Sequence, residues 1–188
     1  GSTDSTLSVL LGLPHTTILT QDGPLHQDVE MTRLAHLAYN MAADWIIPFD
    51  ADEFWCDIAT LDTLPATVGR VYVPVYHHVS MARRWATPKL AKVTFRPAPS
   101  MRVHWGNHHV DNIPGDAIGG LHIRELQYRD YDHFLAKIDR AARLYASADF
   151  PLVYGSHLRR LAAMSDDERK AEWEAMCAIP TIYDPIPT

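Results

Sequence analysis

Apolar and polar positions change period twice along this 188-residue chain. Over residues 27–43, Met31, Leu34, Ala35, Ala38, Met41 and Ala42 recur at spacings of three and four. That predicts an amphipathic helix with Arg33, His36 and Asn40 on its other side. Residues 3–11 predict a shorter helix stopped by Gly12. The β-branched run 16–20 predicts a strand, and residues 44–50 a second, buried-looking one. After Asp57 the texture changes, and residues 71–79, 90–96, 101–110 and 121–126 read as strands or bent ribbons with few helical signals between them. Pro74 would put its strand on an edge or at a bulge, with His77 and His78 on alternate faces. Residues 130–148 return to a helix, with Phe134, Ile138, Ala141, Ala142 and Tyr145 on one face and Lys137, Arg140 and Arg143 exposed. Ser165 and Glu168 form a capping box for a last helix that ends before Pro180. No linker divides the pattern, so residues 1–188 read as a single α/β domain.

The chemistry is concentrated in Trp45-Ile46-Ile47-Pro48-Phe49-Asp50-Ala51-Asp52-Glu53-Phe54-Trp55. Three carboxylates follow a strand and precede two more aromatic residues. Carboxylates crowded into an apolar segment repel one another unless a positive object sits between them. Oxygen-only ligands suit Mg²⁺ or Mn²⁺ better than Zn²⁺. The bland alternative is an acidic turn that caps a strand. The apolar collar on both sides counts against it, because a solvated turn has no need of one.

Composition narrows the classes further. A net charge of −6 argues against nucleic-acid binding, which needs basic surface. No apolar run approaches a membrane span. Two cysteines, Cys56 and Cys177, make neither a disulfide framework nor a zinc spacing, so a cytoplasmic setting is the default. Of the 11 histidines, the group from His77 to His122 is the densest.

Gly1-Ser2-Thr3-Asp4-Ser5-Thr6 resembles the S-T-D segment of family 2 glycosyltransferases. Asp50-Ala51-Asp52-Glu53-Phe54 resembles the D-x-D-E-F motif of one branch of that superfamily. Leu90 to Pro97, Gly106-Asn107-His108-His109-Val110, Leu121-His122-Ile123-Arg124 and the helix bearing Phe134 and Lys137 follow in the order of that branch. The resemblance implies a GT-A-like nucleotide-diphospho-sugar transferase fold, a mixed, mostly parallel sheet flanked by helices. The first β-α unit of such domains, with its N-E pair, precedes the S-T-D segment, so an N-terminally truncated version is expected.

The implied activity is transfer of a sugar from a nucleotide-diphosphate donor, most commonly a UDP-sugar, to a hydroxyl on a glycan, lipid-linked or small-molecule acceptor. It is expected to be inverting and dependent on Mn²⁺ or Mg²⁺. Asp50, Asp52 and a distal His122 would hold the metal, with Asp4, Arg33, Asp50 and Lys92 near the donor. Glu53 would support the site or face the acceptor. Asp111 would be the general base, with Asp116 and His109 next in line. Arg96, Arg124, Arg129 and Lys137 are further diphosphate or acceptor candidates. His122 as a core histidine and Asp111 as part of a polar turn remain open alternatives. Two other functions also remain: a non-catalytic sugar- or metal-binding domain, and a carboxylate-based glycoside hydrolase. The hydrolase needs carboxyl groups about 5–9 Å apart across a sugar.

Overall fold

The computed structural model describes residues 4–19, 26–147 and 155–186. Its spine is β2 (Val68–Ser80), whose Val71, Val73 and Val75 are fully buried and cluster with Leu121 and Ile123. Along one side of β2 runs β4 (Leu90–Phe95), antiparallel. Along the other lie β7 (Asp116–Gly119) and then β8 (His122–Glu125), both parallel to it. Strand β1 (Glu53–Cys56) pairs antiparallel with β8, while β3 (Arg83–Trp85) and β9 (Thr181–Tyr183) extend the far end of β2. A separate hairpin joins β5 (Arg102–His104) to β6 (His109–Asp111).

Helix α2 (Gln27–Asn40) lies over this hairpin, with Ala35 and Met31 packed against Val93, Phe95, Val103 and Val110. Helices α3 (Tyr131–Ser147), α4 (Ser156–Ala162) and α5 (Asp166–Ala178) surround Tyr128, Phe134, Ile138 and Leu161. Helix α1 (Thr6–Leu11) precedes them all. The architecture is α/β, a mixed sheet flanked by helices. No helix among the described residues is long and apolar enough to cross a membrane.

Several expectations change here, each for a physical reason. The sheet is mixed but not mostly parallel: among the described residues only β7 and β8 run parallel to β2. A parallel pair needs a long crossover, whereas the strands after Asp57 mostly follow one another by short connections. Residues 44–50 do not form a strand but make a single bridge, Ile46 with Phe95, in which each N–H reaches the other's carbonyl. The next pair of that ladder would need an N–H from residue 48, which is proline. The Val93 N–H bonds instead to the Asn107 carbonyl at 3.1 Å. Residues 16–19 form no strand, and Thr20 lies outside the described residues.

Strand β2 is central, so His77 and His78 are buried rather than placed on an edge. Pro74 is accommodated differently from the expectation. The Val75 carbonyl accepts from Lys89 on the β4 side, so the neighbouring Pro74 nitrogen faces the opposite side. There β7 has ended at Gly119 and β8 has not begun, and the missing donor leaves no ladder bond unmade. The helical period of α3 and the Ser165–Glu168 capping box hold, whereas that of α2 holds only to Asn40, with Met41 and Ala42 lying past its end and Ala42 at φ 58°. The expected stripe on α2 is only partly covered, with Ala35 buried but Leu34 38% exposed. On α3, Lys137 is half-buried rather than exposed.

Two side chains, Thr32 and Glu125, tie these elements together. The Thr32 hydroxyl on α2 accepts from the Val103 N–H at 3.0 Å and faces the Val103 carbonyl at 3.4 Å, covering the outer edge of β5. At the β2–β8 junction the Glu125 carboxylate meets His77 Nδ1 at 3.4 Å and Lys89 Nζ at 3.3 Å. Burial works to raise the Glu125 pKa, but His77 and Lys89 outweigh it and bring it down to about 2. A lowered carboxyl pKa stabilises the fold above the unfolded value of 4.5 and loses that contribution as pH falls toward 2. Thermal melts should therefore show Tm declining from about pH 4.5 downward. Glu125→Gln should be less stable at neutral pH and show a shallower acid decline, the two curves converging near pH 2. Parallel curves would remove Glu125 from the account.

Candidate functional site

The break at Pro48 releases the chain from β4 and lets residues 50–53 curl into a turn. The turn closes when the Glu53 N–H reaches the Asp50 carbonyl at 3.1 Å and the Asp50 N–H reaches Glu53 Oε2 at 3.1 Å. Glu53 Oε2 also accepts from the Trp55 indole at 3.3 Å. The Glu53 side chain is wholly buried, and Lys92 Nζ from β4 contacts its other oxygen. The same ammonium sits 2.6 Å from Asp50 Oδ2.

Burial alone would lower the Lys92 pKa, but hydrogen bonds to Asp50 and Glu53 hold it above the ordinary lysine value. Burial likewise pushes the Glu53 carboxyl above the ordinary glutamate range, against the pull of Lys92. Asp52 points elsewhere, to Lys137 Nζ on α3 at 2.9 Å, while its carbonyl accepts from Leu126 N–H at 2.9 Å.

Beside Asp52 opens a cavity of about 440 Å³ with Lys137, Arg140 and His133 on its polar side and Ala141 and Leu144 on its apolar side. Positions 133, 137 and 140 follow helical spacing and share one face of α3. His133 is not among the sequence-derived candidates, although its spacing to Lys137 and Arg140 is legible in the sequence. Burial, with Arg129 and Lys137, lowers the His133 pKa. Its Nδ1 accepts from the Arg129 N–H at 3.3 Å, so in the neutral ring Nε2 carries the proton and can donate. Hydrogen bonds from the Thr6 hydroxyl and N–H hold the Asp4 carboxyl below its ordinary value.

Other sequence-derived candidates are placed apart. His122 pairs with Cys56 at the far end of the β1–β8 ladder, about 10 Å along the strand from Glu53. Its Nδ1 lies 3.4 Å from Asp57. Asp111 sits on β6, with Oδ2 3.0 Å from His104 Nε2 and Oδ1 2.9 Å from His109 Nε2. Val93 and Phe95 of β4 face that hairpin, whereas Lys92, one residue over, turns to Asp50 and Glu53. The hairpin body and the carboxylate turn therefore lie on opposite faces of β4, and Asp111 is not brought to Asp52. Arg33 pairs with Glu30 on α2, Arg124 with Asp184, and Arg96 caps the Val68 and Leu64 carbonyls. Asp116 and Arg129 are exposed.

Compared with protein-family models, with curated proteins and with solved structures, the chain has no match.

Among the described residues, no group of three or more His, Cys, Asp or Glu side chains could hold a metal ion. Lysines 92 and 137 supply the positive charge expected between the carboxylates. Side chains alone do not make a cation cage here. However, Mg²⁺ is commonly held by one or two carboxylates together with substrate phosphates. The second oxygens of Asp50 and Asp52 carry no hydrogen bond among the described residues, which fits that mode.

Lys92 and Glu53 are buried together, so removing one strands the other. Lys92→Met should cost about 3–5 kcal/mol in urea unfolding. Lys137→Met, whose pair with Asp52 is partly solvated, should cost about 1 kcal/mol or less. Equal losses would show that burial does not distinguish the two pairs.

Proposed function

We propose that this chain is a glycosyltransferase domain of the family 2, GT-A-like type, using a nucleotide-diphosphate sugar as donor. One observation carries the reading: Asp52 stands at the mouth of a cavity whose polar wall is Lys137, Arg140 and His133. A diphosphate needs that kind of wall, with cationic donors beside a carboxylate that can share a divalent ion. A bound Mg²⁺ or Mn²⁺ would supply Lewis-acid neutralisation of the leaving diphosphate.

The chain's own residues bind and orient. Lys137 and Arg140 pair with phosphate oxygens, and His133 donates through Nε2. Glu53 is a positioning residue that fixes the turn through the Asp50 N–H and the Trp55 indole. Lys92 holds Asp50 in place. Asp4 belongs to the donor side of this reading through its place in the S-T-D segment. Asp111 receives no role in proton transfer, because its hairpin faces away from this cavity. A UDP-sugar donor, a hydroxyl acceptor and a cytoplasmic setting, with Cys56 and Cys177 both free, belong to the same reading.

A second reading, a donor-binding domain without transfer, has one observation in its favour: Lys92 and Lys137 already pair with Asp50 and Asp52. A glycoside hydrolase has less, since Asp50 and Asp52 sit on one turn and cannot straddle a ring.

Calorimetric titration with UDP, with and without Mn²⁺, tests the proposal. Mn²⁺ should tighten UDP binding to the native chain, and Asp52→Asn should abolish that gain. Lys137→Met should weaken UDP roughly tenfold, about 1.4 kcal/mol, with or without metal. Affinities unchanged by both substitutions would remove this cavity from consideration. UDP binding without turnover of any UDP-sugar would favour the second reading.

A further inference from the structure

The turn between β5 and β6 carries three successive residues in the left-handed region: Trp105 at φ 52°, Gly106 at φ 61° and Asn107 at φ 78°. Such a conformation is costly for a bulky side chain. The indole gains no burial in return, being 71% exposed. The turn is nonetheless held firmly. Gly106 N–H donates to Asp28 Oδ1 at 3.1 Å, Asn107 accepts from Val93 N–H, and His108 Nδ1 lies 2.7 Å from the Ala91 carbonyl. Those anchors on β4 flank Lys92, whose ammonium holds Asp50. The exposed indole therefore stands on the strand segment that positions the carboxylate turn.

From Trp105 a polar surface runs along the hairpin. The indole lies 5.5 Å from the His109 ring, inclined by 33°. His109 binds the half-exposed Asp111, and Asp111 also meets His104. Asp111 and His104 then line a cavity of about 600 Å³ between the hairpin and α2, with Arg102, Ser100 and His36 around it.

A flat apolar face followed by carboxylate and imidazole groups suits a pyranose chain. The C–H face of a sugar covers an indole, and its hydroxyls both donate to carboxylate and accept from N–H groups. The cavity lies within the size range of ordinary small-ligand sites.

We infer that Trp105 and the Asp111 cluster form an extended carbohydrate subsite. It holds the distal residues of an oligosaccharide acceptor whose reactive end approaches Asp50 and Asp52. Only the word acceptor rests on the transferase reading; binding of the glycan does not. A chain of several sugars is required because the cluster and the carboxylate turn lie on opposite faces of β4.

Saturation-transfer NMR tests this with glucose, galactose, mannose and N-acetylglucosamine series, each from methyl glycoside to tetrasaccharide. At least one series should bind, and its tetrasaccharide should bind at least tenfold more tightly than its methyl glycoside. Trp105→Ala should lose that gain, Trp105→Phe should keep most of it, and Asp111→Asn should weaken it. Trp105→Gly, which suits the left-handed backbone, should lose it too, with an unchanged melting curve. UDP titration of all four variants should match the native chain. The inference is overturned if no series binds, or if Trp105→Ala binds the tetrasaccharide like the native chain. Glycan binding that depends on Trp105, in a chain that binds no UDP, would uphold the subsite and overturn the transferase reading.

Discussion

A single ammonium group ties the candidate site to the sheet. Lys92 leaves β4 on the face away from the hairpin and ends between Asp50 and Glu53, one carboxylate partly exposed and the other sealed from solvent. An isolated charge of either sign would be untenable at that depth, so each exists only because the other does. The pair fixes the position of residues 50–53 relative to β4. Through the Glu53 bonds to the Asp50 N–H and the Trp55 indole, it also fixes the direction in which Asp52 leaves the turn. The contact of Asp52 with α3, and hence the location of the cationic cavity, follows from that direction.

Two prolines shape the sheet around this arrangement. Pro48 ends the pairing with β4 after one bridge, and the freed Val93 N–H takes up the hairpin turn through Asn107. Pro74 does the reverse, fitting into a central strand at the seam between β7 and β8. In both places the missing donor decides where one neighbour stops and another begins. The carboxylate turn and the Trp105 turn are thus two outcomes of the same interruption.

Sequence patterning resolved what depends on near neighbours. The α2 period as far as Asn40, the α3 period, the Ser165–Glu168 box and the strands around residues 71–79, 90–96 and 121–126 are all local signals, and all are present. The spacing of Asp50, Asp52 and Glu53 was enough to show that carboxylates crowd in this segment. It did not reveal what neutralises them, because the partners lie 42 and 85 residues further along the chain. A cluster of like charges specifies a counter-charge but not its source, and two lysines meet that requirement as well as a cation would. Residues 44–50 misled for a different reason. Their apolar character is that of a strand, while one proline removes the donor a ladder would need. The partial covering of α2 was equally illegible, since periodicity reports which residues share a face and not what lies against it.

The Thr32 hydroxyl has a consequence beyond the hairpin it touches. Among the described residues strand β5 pairs with β6 alone, which would leave the Val103 N–H and carbonyl facing outward in the geometry another chain could extend. By occupying both groups, one side chain of α2 denies that edge to any incoming strand. Growth of the hairpin into an intermolecular sheet therefore requires α2 to lift away first. A single threonine thus makes resistance to aggregation at this edge a property of helix docking, not of the strand's own sequence.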